Sequence, residues 1–439
     1  MQLVRNLTEN TKRNLAVCAG LLVFSFFLHL SGLPSLLLQR VIWALLLSIV
    51  FCSLCRKTDM PSFAILSGAF VTRMILGAAN VMSGNVISNW IFRVGDDIVF
   101  ANAAREFYYG NMAFRVNSRH FPILISYLYR IFGPDEMIAV FVMVLLAMAG
   151  CVAFYHMLSG LEISDRAVHI SLAVVCFAPF SIIFSILLLR EPVYFCFLPL
   201  SFLCFLHHCR GKKIYQLLAA MILCLPAIYM HWGYAAFLLV YIVYFFVGYT
   251  GNPDRKRLMI LVKLVLTAVF LAFAVIVIMN SEKLKYFREA GNFTEGLILT
   301  FQKYSGLQGE SNYLQDMKVT DFHQVFLYTP LRIIYFFLSP LFSDWRGWKD
   351  GLSFITDAVF PLLSCLGYIC LVLRREKDLV PVHAAFWMVQ LTGALYCWAT
   401  ISAGAAIRHR NCLIPMEMYI TMRAYSGLKR KTPDNNTVL

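Results

Sequence analysis

The run Met137-Ile-Ala-Val-Phe-Val-Met-Val-Leu-Leu-Ala-Met-Ala-Gly-Cys-Val-Ala-Phe-Tyr-His-Met-Leu158 decides the fold. It contains no Asp, Glu, Lys or Arg. As a helix it is long enough to cross a hydrocarbon core of about 30 Å. Lipid offers no partner to backbone N–H and C=O groups, so a span of this kind satisfies them internally. Comparable blocks recur on both sides, expected at 14–31, 34–54, 61–82, 168–188, 192–208, 214–230, 234–250, 257–279, 353–373, 380–400 and 411–427. Of the 439 residues, 60% are hydrophobic and 14% charged, where a soluble domain carries about 25% charge. The blocks are continuous rather than alternating, which excludes a β-barrel. The expected fold is all-α: a polytopic transmembrane helical bundle of about twelve spans, forming a single integral-membrane domain over residues 1–439.

Cations set the orientation. The net charge of +14 falls in short clusters between blocks, a pattern of topology signals rather than of a nucleic-acid surface. With the N-terminus inside, the inward segments carry Arg5, Lys12 and Arg13; Arg56 and Lys57; Arg166; Arg210, Lys212 and Lys213; Arg255, Lys256 and Arg257; Arg374, Arg375 and Lys377; and Lys429, Arg430 and Lys431. The first block, Leu15–Leu30, follows basic residues as a signal peptide does. No small-residue cleavage site comes after it, so it reads as a retained helix. Both termini are then cytoplasmic, and residues 432–439 form a short polar tail expected to be disordered.

Two long segments, 83–135 and 280–352, fall on the extracytoplasmic side. Within the first, Phe100, Ala103, Ala104 and Phe107 share one face of a short amphipathic helix over 100–109, of the kind that lies on a membrane surface. The second ends in Phe336-Phe-Leu-Ser-Pro-Leu-Phe-Ser-Asp-Trp-Arg-Gly-Trp348, whose tryptophans suit a membrane–water interface. Most of the 13 cysteines sit inside apolar blocks as small hydrophobes, and no CxxC or Cys/His spacing suggests a disulfide framework or a zinc site.

Three constellations stand out against this apolar background. Asp96 and Asp97 adjoin each other in the first outer segment. They read as a solvated loop that caps the next helix, or instead as a base for a sugar hydroxyl or ligands of a divalent cation. Arg190-Glu191-Pro192 joins two apolar blocks at the outer face. Its two charges either pair at the rim or serve function, with Glu191 at a helix N-terminus where the dipole favours its anion. Arg408-His409-Arg410 lies at the outer end of the last span, against the positive-inside trend. Arginine forks suit phosphate oxygens, and headgroup anchoring is the plainer alternative. His231, beside Trp232, lies near an outer end, and Arg73 within a span is expected to face the bundle interior.

These residues carry a resemblance. Asp96-Asp97, Phe100-Ala-Asn-Ala-Ala-Arg-Glu106, His120-Phe-Pro122 and Tyr129-Arg-Ile-Phe-Gly133 resemble the first outer loop of GT-C glycosyltransferases. The likeness is to the protein O-mannosyltransferase and lipid A aminoarabinose transferase group in particular. Arg190-Glu191-Pro192 resembles that group's Asp-Pro junction, with Glu for Asp. The match covers roughly 70 residues, the rest agreeing only in hydropathy and loop placement. One departure is Arg119-His120-Phe121-Pro122, where the group often places an acidic or basic residue before two prolines. The ending Arg408-His-Arg-Asn-Cys-Leu-Ile-Pro415 is also similar to bacterial surface-polysaccharide enzymes, including polymerases.

The resemblance implies an outer-face active site in the inner (plasma) membrane and a polyprenyl-phosphate-linked sugar donor. The acceptor is the hydroxyl of a glycan or lipid. Asp96, Asp97 and Glu191 are the expected catalytic residues, with Asp96 on the family's catalytic carboxylate. Arg105, His120, Arg190, His231, Arg408, His409 and Arg410 are the expected substrate contacts. A divalent cation at the acidic pair stays open. The alternatives are an O-antigen or capsule polysaccharide polymerase or ligase using a polyprenyl-diphosphate glycan, and a lipid-linked sugar transporter. Against the transporter stand the lack of an inverted repeat and the asymmetric outer loops.

Overall fold

The computed structural model describes residues 36–247 and 312–429, apart from 92–94, 117, 315–316 and 318, together with 295 and 298–299. The expected spans 14–31 and 257–279, residues 280–294 and 300–311 of the second outer segment, and the tail 432–439 lie outside the described residues. What is described is helical, with one isolated bridge between Asn312 and Ser402. The chain divides into two compact units. One comprises residues 1–160 and 164–199, the other 161–163 and 200–439.

In the first unit, α1 (Leu36–Leu54), α2 (Met60–Met82), α3 (Val86–Ile91), α4 (Asp96–Tyr108), α5 (His120–Phe132), α6 (Glu136–Leu158), α7 (Asp165–Phe177) and α8 (Pro179–Ile186) precede the start of α9 (Glu191–Gly211). The quoted run is α6, and it is the hub: α1, α2, α5, α7 and α8 all pack on it. A helix apolar all round is a buried one, and α6 is buried along most of its length. Its start is fixed by Asp135, which accepts from the Met137 N–H (2.9 Å) and pairs with Arg40 Nε on α1 (2.8 Å). Gly150 lets α9 approach, since a Cβ there would lie 1.9 Å from the Phe195 carbonyl oxygen. Leu37, Val41 and Leu45 on α1, and Val71 and Ile75 on α2, stay exposed as lipid-facing residues do.

Arg73 sits inside α2, fully buried, as expected. It donates to Ser185 Oγ (2.9 Å), Ser181 Oγ (3.0 Å) and the Ala69 carbonyl (3.3 Å), so a neutral cage of α8 hydroxyls satisfies it. Asp59 caps α2 through the Ser62 N–H (2.7 Å) and meets His169 of α7 (3.2 Å).

The second unit contains the rest of α9, then α10 (Ile214–Leu223), α11 (Leu225–Met230), α12 (Ala235–Val247), α13 (Phe322–Leu338), α14 (Trp348–Ser353), a π-helical turn (Phe354–Ala358), α15 (Val359–Leu373), α16 (Val380–Tyr396), α17 (Ala403–Asn411) and α18 (Ile414–Lys429). Here α18 packs on α15 and α16, α12 on α16, and α13 on α16 and α17.

By length and composition, five described helical stretches can cross a membrane: Leu36–Lys57, Met60–Met82, Glu136–Leu158, Glu191–Gly211 and Trp348–Leu373. A sixth is counted if the bent pair α7–α8 is one span. The chain therefore has the helices of a multi-pass membrane protein, in smaller number among the described residues than the ten spans expected there. Two expected spans lie outside the described residues. Others are broken or short, and proline is the recurrent reason. The expected span 168–188 bends by 48° before Pro179, where Ala178 turns extended (ψ 127°). A residue preceding proline is driven from the helical region in this way. The span 214–230 splits at Cys224 ahead of Pro226. The span 411–427 is essentially α18, which starts at Ile414 with Pro415 in its first turn and is only 16 residues long.

Candidate functional site

The acidic pair lies in the first turn of α4, which begins four residues earlier than the 100–109 expected. Neither carboxylate is the cap. The N-cap is Gly95, which makes no side-chain cap bond, so the capping explanation of the pair does not hold. The two acids differ in environment. Asp96 is exposed. Asp97 is buried and accepts from Ser88 Oγ (2.7 Å). Ser88 is itself fixed, because Asn80 Oδ1 accepts from the backbone N–H groups of Ile87 (2.9 Å) and Ser88 (3.3 Å). Gly95 makes room: a Cβ there would lie 2.0 Å from Asp97 Oδ1 and 2.5 Å from Ser88 Oγ.

The apolar face of α4 does not lie on a membrane surface. Phe100, Ala103, Ala104 and Phe107 are buried, and α4 packs on α5, with Phe100 edge-on to Phe121 at 5.4 Å. Arg105 reaches Glu136 at the start of α6 (3.4 Å), and Asn85 donates to the other Glu136 oxygen (3.4 Å). The Glu136 and Asp97 carboxylates are close enough for their charges to interact. The sequence reading missed Glu136 because it opens an apolar span. Its position three residues past Gly133, at the end of the family-like motif, was the available signal. Beside this group, burial pushes the Tyr129 phenol well above its ordinary value, so it stays protonated.

Arg190 and Glu191 are both buried. Arg190 donates to Ser118 Oγ (2.8 Å) and lies over the Phe100 ring at 5.9 Å, which brings it to the α4 face that carries Asp97 one turn earlier. Glu191 opens α9, as expected from Pro192. His120 opens α5 and is exposed. Among the described residues, no cluster of three or more His, Cys, Asp or Glu side chains is arranged to hold a metal ion.

In the second unit the structure brings His231 and His409 together, with ring centroids 5.0 Å apart. Tyr396 stacks on His231 at 4.5 Å and lies tilted against His409 at 4.3 Å, and the Tyr234 hydroxyl donates to the His409 carbonyl (3.2 Å). Gly233 permits this, since a Cβ would lie 2.3 Å from the Tyr396 ring. Arg408 is half-buried on the same turn of α17. Arg410 is committed elsewhere. It is buried, pairs through Nε with Asp357 in the π-helical turn, and donates to the carbonyls of Phe336 (2.8 Å) and Ser339. A fork so engaged has little left for a lipid phosphate, and the expected clamp narrows to Arg408. Asp357 was missed because it is one acid in an apolar stretch.

No family model, curated protein or solved structure matches the chain. The likeness to the glycosyltransferase group rests on its motifs alone.

Proposed function

We propose that the chain is an integral-membrane glycosyltransferase of the extracytoplasmic face, with both termini cytoplasmic in the inner membrane. It moves a sugar from a polyprenyl-phosphate-linked donor to a hydroxyl acceptor in cell-envelope glycan assembly. The observation that carries the reading is the division of labour between Asp96 and Asp97. The buried Asp97, held by Ser88, fixes the first turn of α4, and the exposed Asp96 is presented to an incoming hydroxyl. Asp96 takes the acceptor proton as the hydroxyl oxygen attacks the anomeric carbon. The bond from that carbon to the phosphate oxygen breaks, the polyprenyl phosphate leaves with the electron pair, and the anomeric configuration inverts. Arg190, over the Phe100 ring, and Arg105, in α4 itself, offset the developing phosphate charge. The test incubates purified protein with labelled polyprenyl-monophosphate sugars. Transfer by the wild type and its loss in Asp96→Asn support the reading, and equal transfer by the two overturns it.

A second reading, a polymerase or ligase with a polyprenyl-diphosphate donor, is favoured by the His231–Tyr396–His409 cluster beside Arg408. Basic and aromatic groups rather than a carboxylate would then carry recognition. Transfer from diphosphate-linked donors only, insensitive to Asp96→Asn and abolished by His409→Ala, would select it.

A further inference from the structure

Three arginines are among the largest fully buried side chains: Arg73, Arg410 and Arg332. Two have their donors engaged as described above. Arg332, on α13 and 1% exposed, is different: among the described residues neither its Nε nor its Nη1 has a hydrogen-bond partner. A guanidinium cannot shed its charge as a buried lysine can, because it stays protonated at any ordinary pH. Burying it without acceptors is costly, and such positions are kept where something else supplies the acceptors.

The surroundings are built, and among the described residues no carboxylate pairs with Arg332. The guanidinium carbon lies 4.3 Å from the Trp398 ring centroid, a cation–π contact. Trp398 is fixed by its own bond from Nε1 to Thr329 Oγ1 (2.8 Å), one turn before Arg332. Tyr313, close enough to feel the arginine's charge, is also fixed. Its hydroxyl donates to the Thr400 carbonyl (2.7 Å), its N–H to the Ile401 carbonyl (3.0 Å), and its ring stacks on Tyr335 at 5.1 Å. These side chains have spent their polar groups on one another. One further buried polar atom in the same segment, Thr400 Oγ1, has no partner.

We propose that Arg332, with Trp398 as its aromatic wall, binds a phosphate-type oxyanion. An oxyanion with several acceptor oxygens satisfies the idle guanidinium N–H groups together. The source is either a free phosphate or the phosphate of a lipid headgroup. The opposite face of α13 exposes Phe326, Leu327 and Ile334, as a helix bordering lipid does. The site goes beyond the glycosyl-transfer reading and does not depend on it, since none of its residues takes part in that chemistry.

The test uses the full-length protein in neutral detergent, at constant ionic strength. Melting temperature and tryptophan fluorescence are followed with added inorganic phosphate, with acetate, and with phosphatidylglycerol micelles. Near-saturating phosphate is expected to raise the wild-type melting temperature by at least about 2 °C, while acetate has little effect. A response to inorganic phosphate identifies a free anion as sufficient, and a response only to phosphatidylglycerol identifies the lipid source. Arg332→Met is expected to abolish the shift, and Trp398→Phe to remove the accompanying fluorescence change. In phosphate-free buffer Arg332→Met should melt no lower than the wild type, because it removes an uncompensated buried charge. Three results would overturn the proposal: no response to either phosphate source, an equal response in Arg332→Met, or a lower melting temperature for that variant without ligand.

Discussion

Asp96 and Asp97 share a peptide bond and little else. Asp96→Asn keeps the size and most of the hydrogen bonding of the side chain but removes its basicity. If it abstracts the acceptor proton, turnover falls by at least about 100-fold with donor binding unchanged. Near-wild-type turnover in a folded, membrane-inserted Asp96→Asn protein would end the base assignment. Asp97→Asn retains an acceptor for Ser88 and should act weakly. Asp97→Ala leaves the Ser88 hydroxyl without this partner and should cost about 1–3 kcal/mol of stability. The arginines of α17 separate in the same way. Arg410→Ala strands the buried Asp357 carboxylate and is expected to lower stability by about 3–5 kcal/mol, read as a fall in melting temperature or folded yield. Arg408→Ala should keep the fold and weaken donor use. If Arg410→Ala melts like the wild type, the pair does not hold the second unit together.

At the scale of elements, close approach and capping decide more than hydropathy. The contact between α6 and α9 depends on a missing side chain. Gly150→Ala puts a methyl group where the Phe195 carbonyl oxygen lies, and one of the two helices has to move. Overpacking of this kind costs about 1–3 kcal/mol or more, so the variant should melt lower than the wild type, and an unchanged melting temperature would count against this packing. The cap of α2 adds a pH dependence. Burial pushes the Asp59 carboxyl up, but the Ser62 hydrogen bonds and the His169 imidazole outweigh it, and the group sits below its ordinary value of 3.8. A carboxyl depressed by folding contributes stability above its unfolded pKa, and that contribution is lost as pH falls through the lower folded value. Melting temperature should therefore drop more between pH 5 and about pH 3 for the wild type than for Asp59→Asn.

For the whole molecule the testable statement is topology. Cysteine introduced at the exposed Asn111 should react with an impermeant thiol reagent from outside intact cells. Cysteine at the exposed Lys377 should react only after permeabilisation. The reverse pattern would remove both the orientation and the outer-face site. The limits on the number of spans belong to this scale too, because a bundle tolerates short and broken helices once neighbours cover the freed backbone groups.

What the sequence determined by itself is whatever follows from solvent preference and local geometry. The apolar run 137–158 was bound to be a buried helix, Arg73 to face inward, Pro192 to start a helix and Phe100, Ala103, Ala104 and Phe107 to share a face. Periodicity and the cost of an unsatisfied backbone settle such matters within one or two turns. Tertiary structure alone decided which partners those residues met. Nothing local distinguishes Asp96 from Asp97 until Ser88 and Gly95 close over one of them. The α4 face meets α5 rather than lipid because Phe121 is there to receive it. His231 meets Tyr396 across 165 residues, and Asp357 takes Arg410 across 53. Such pairings depend on how whole helices pack, and charge or hydropathy along the chain carries no record of them.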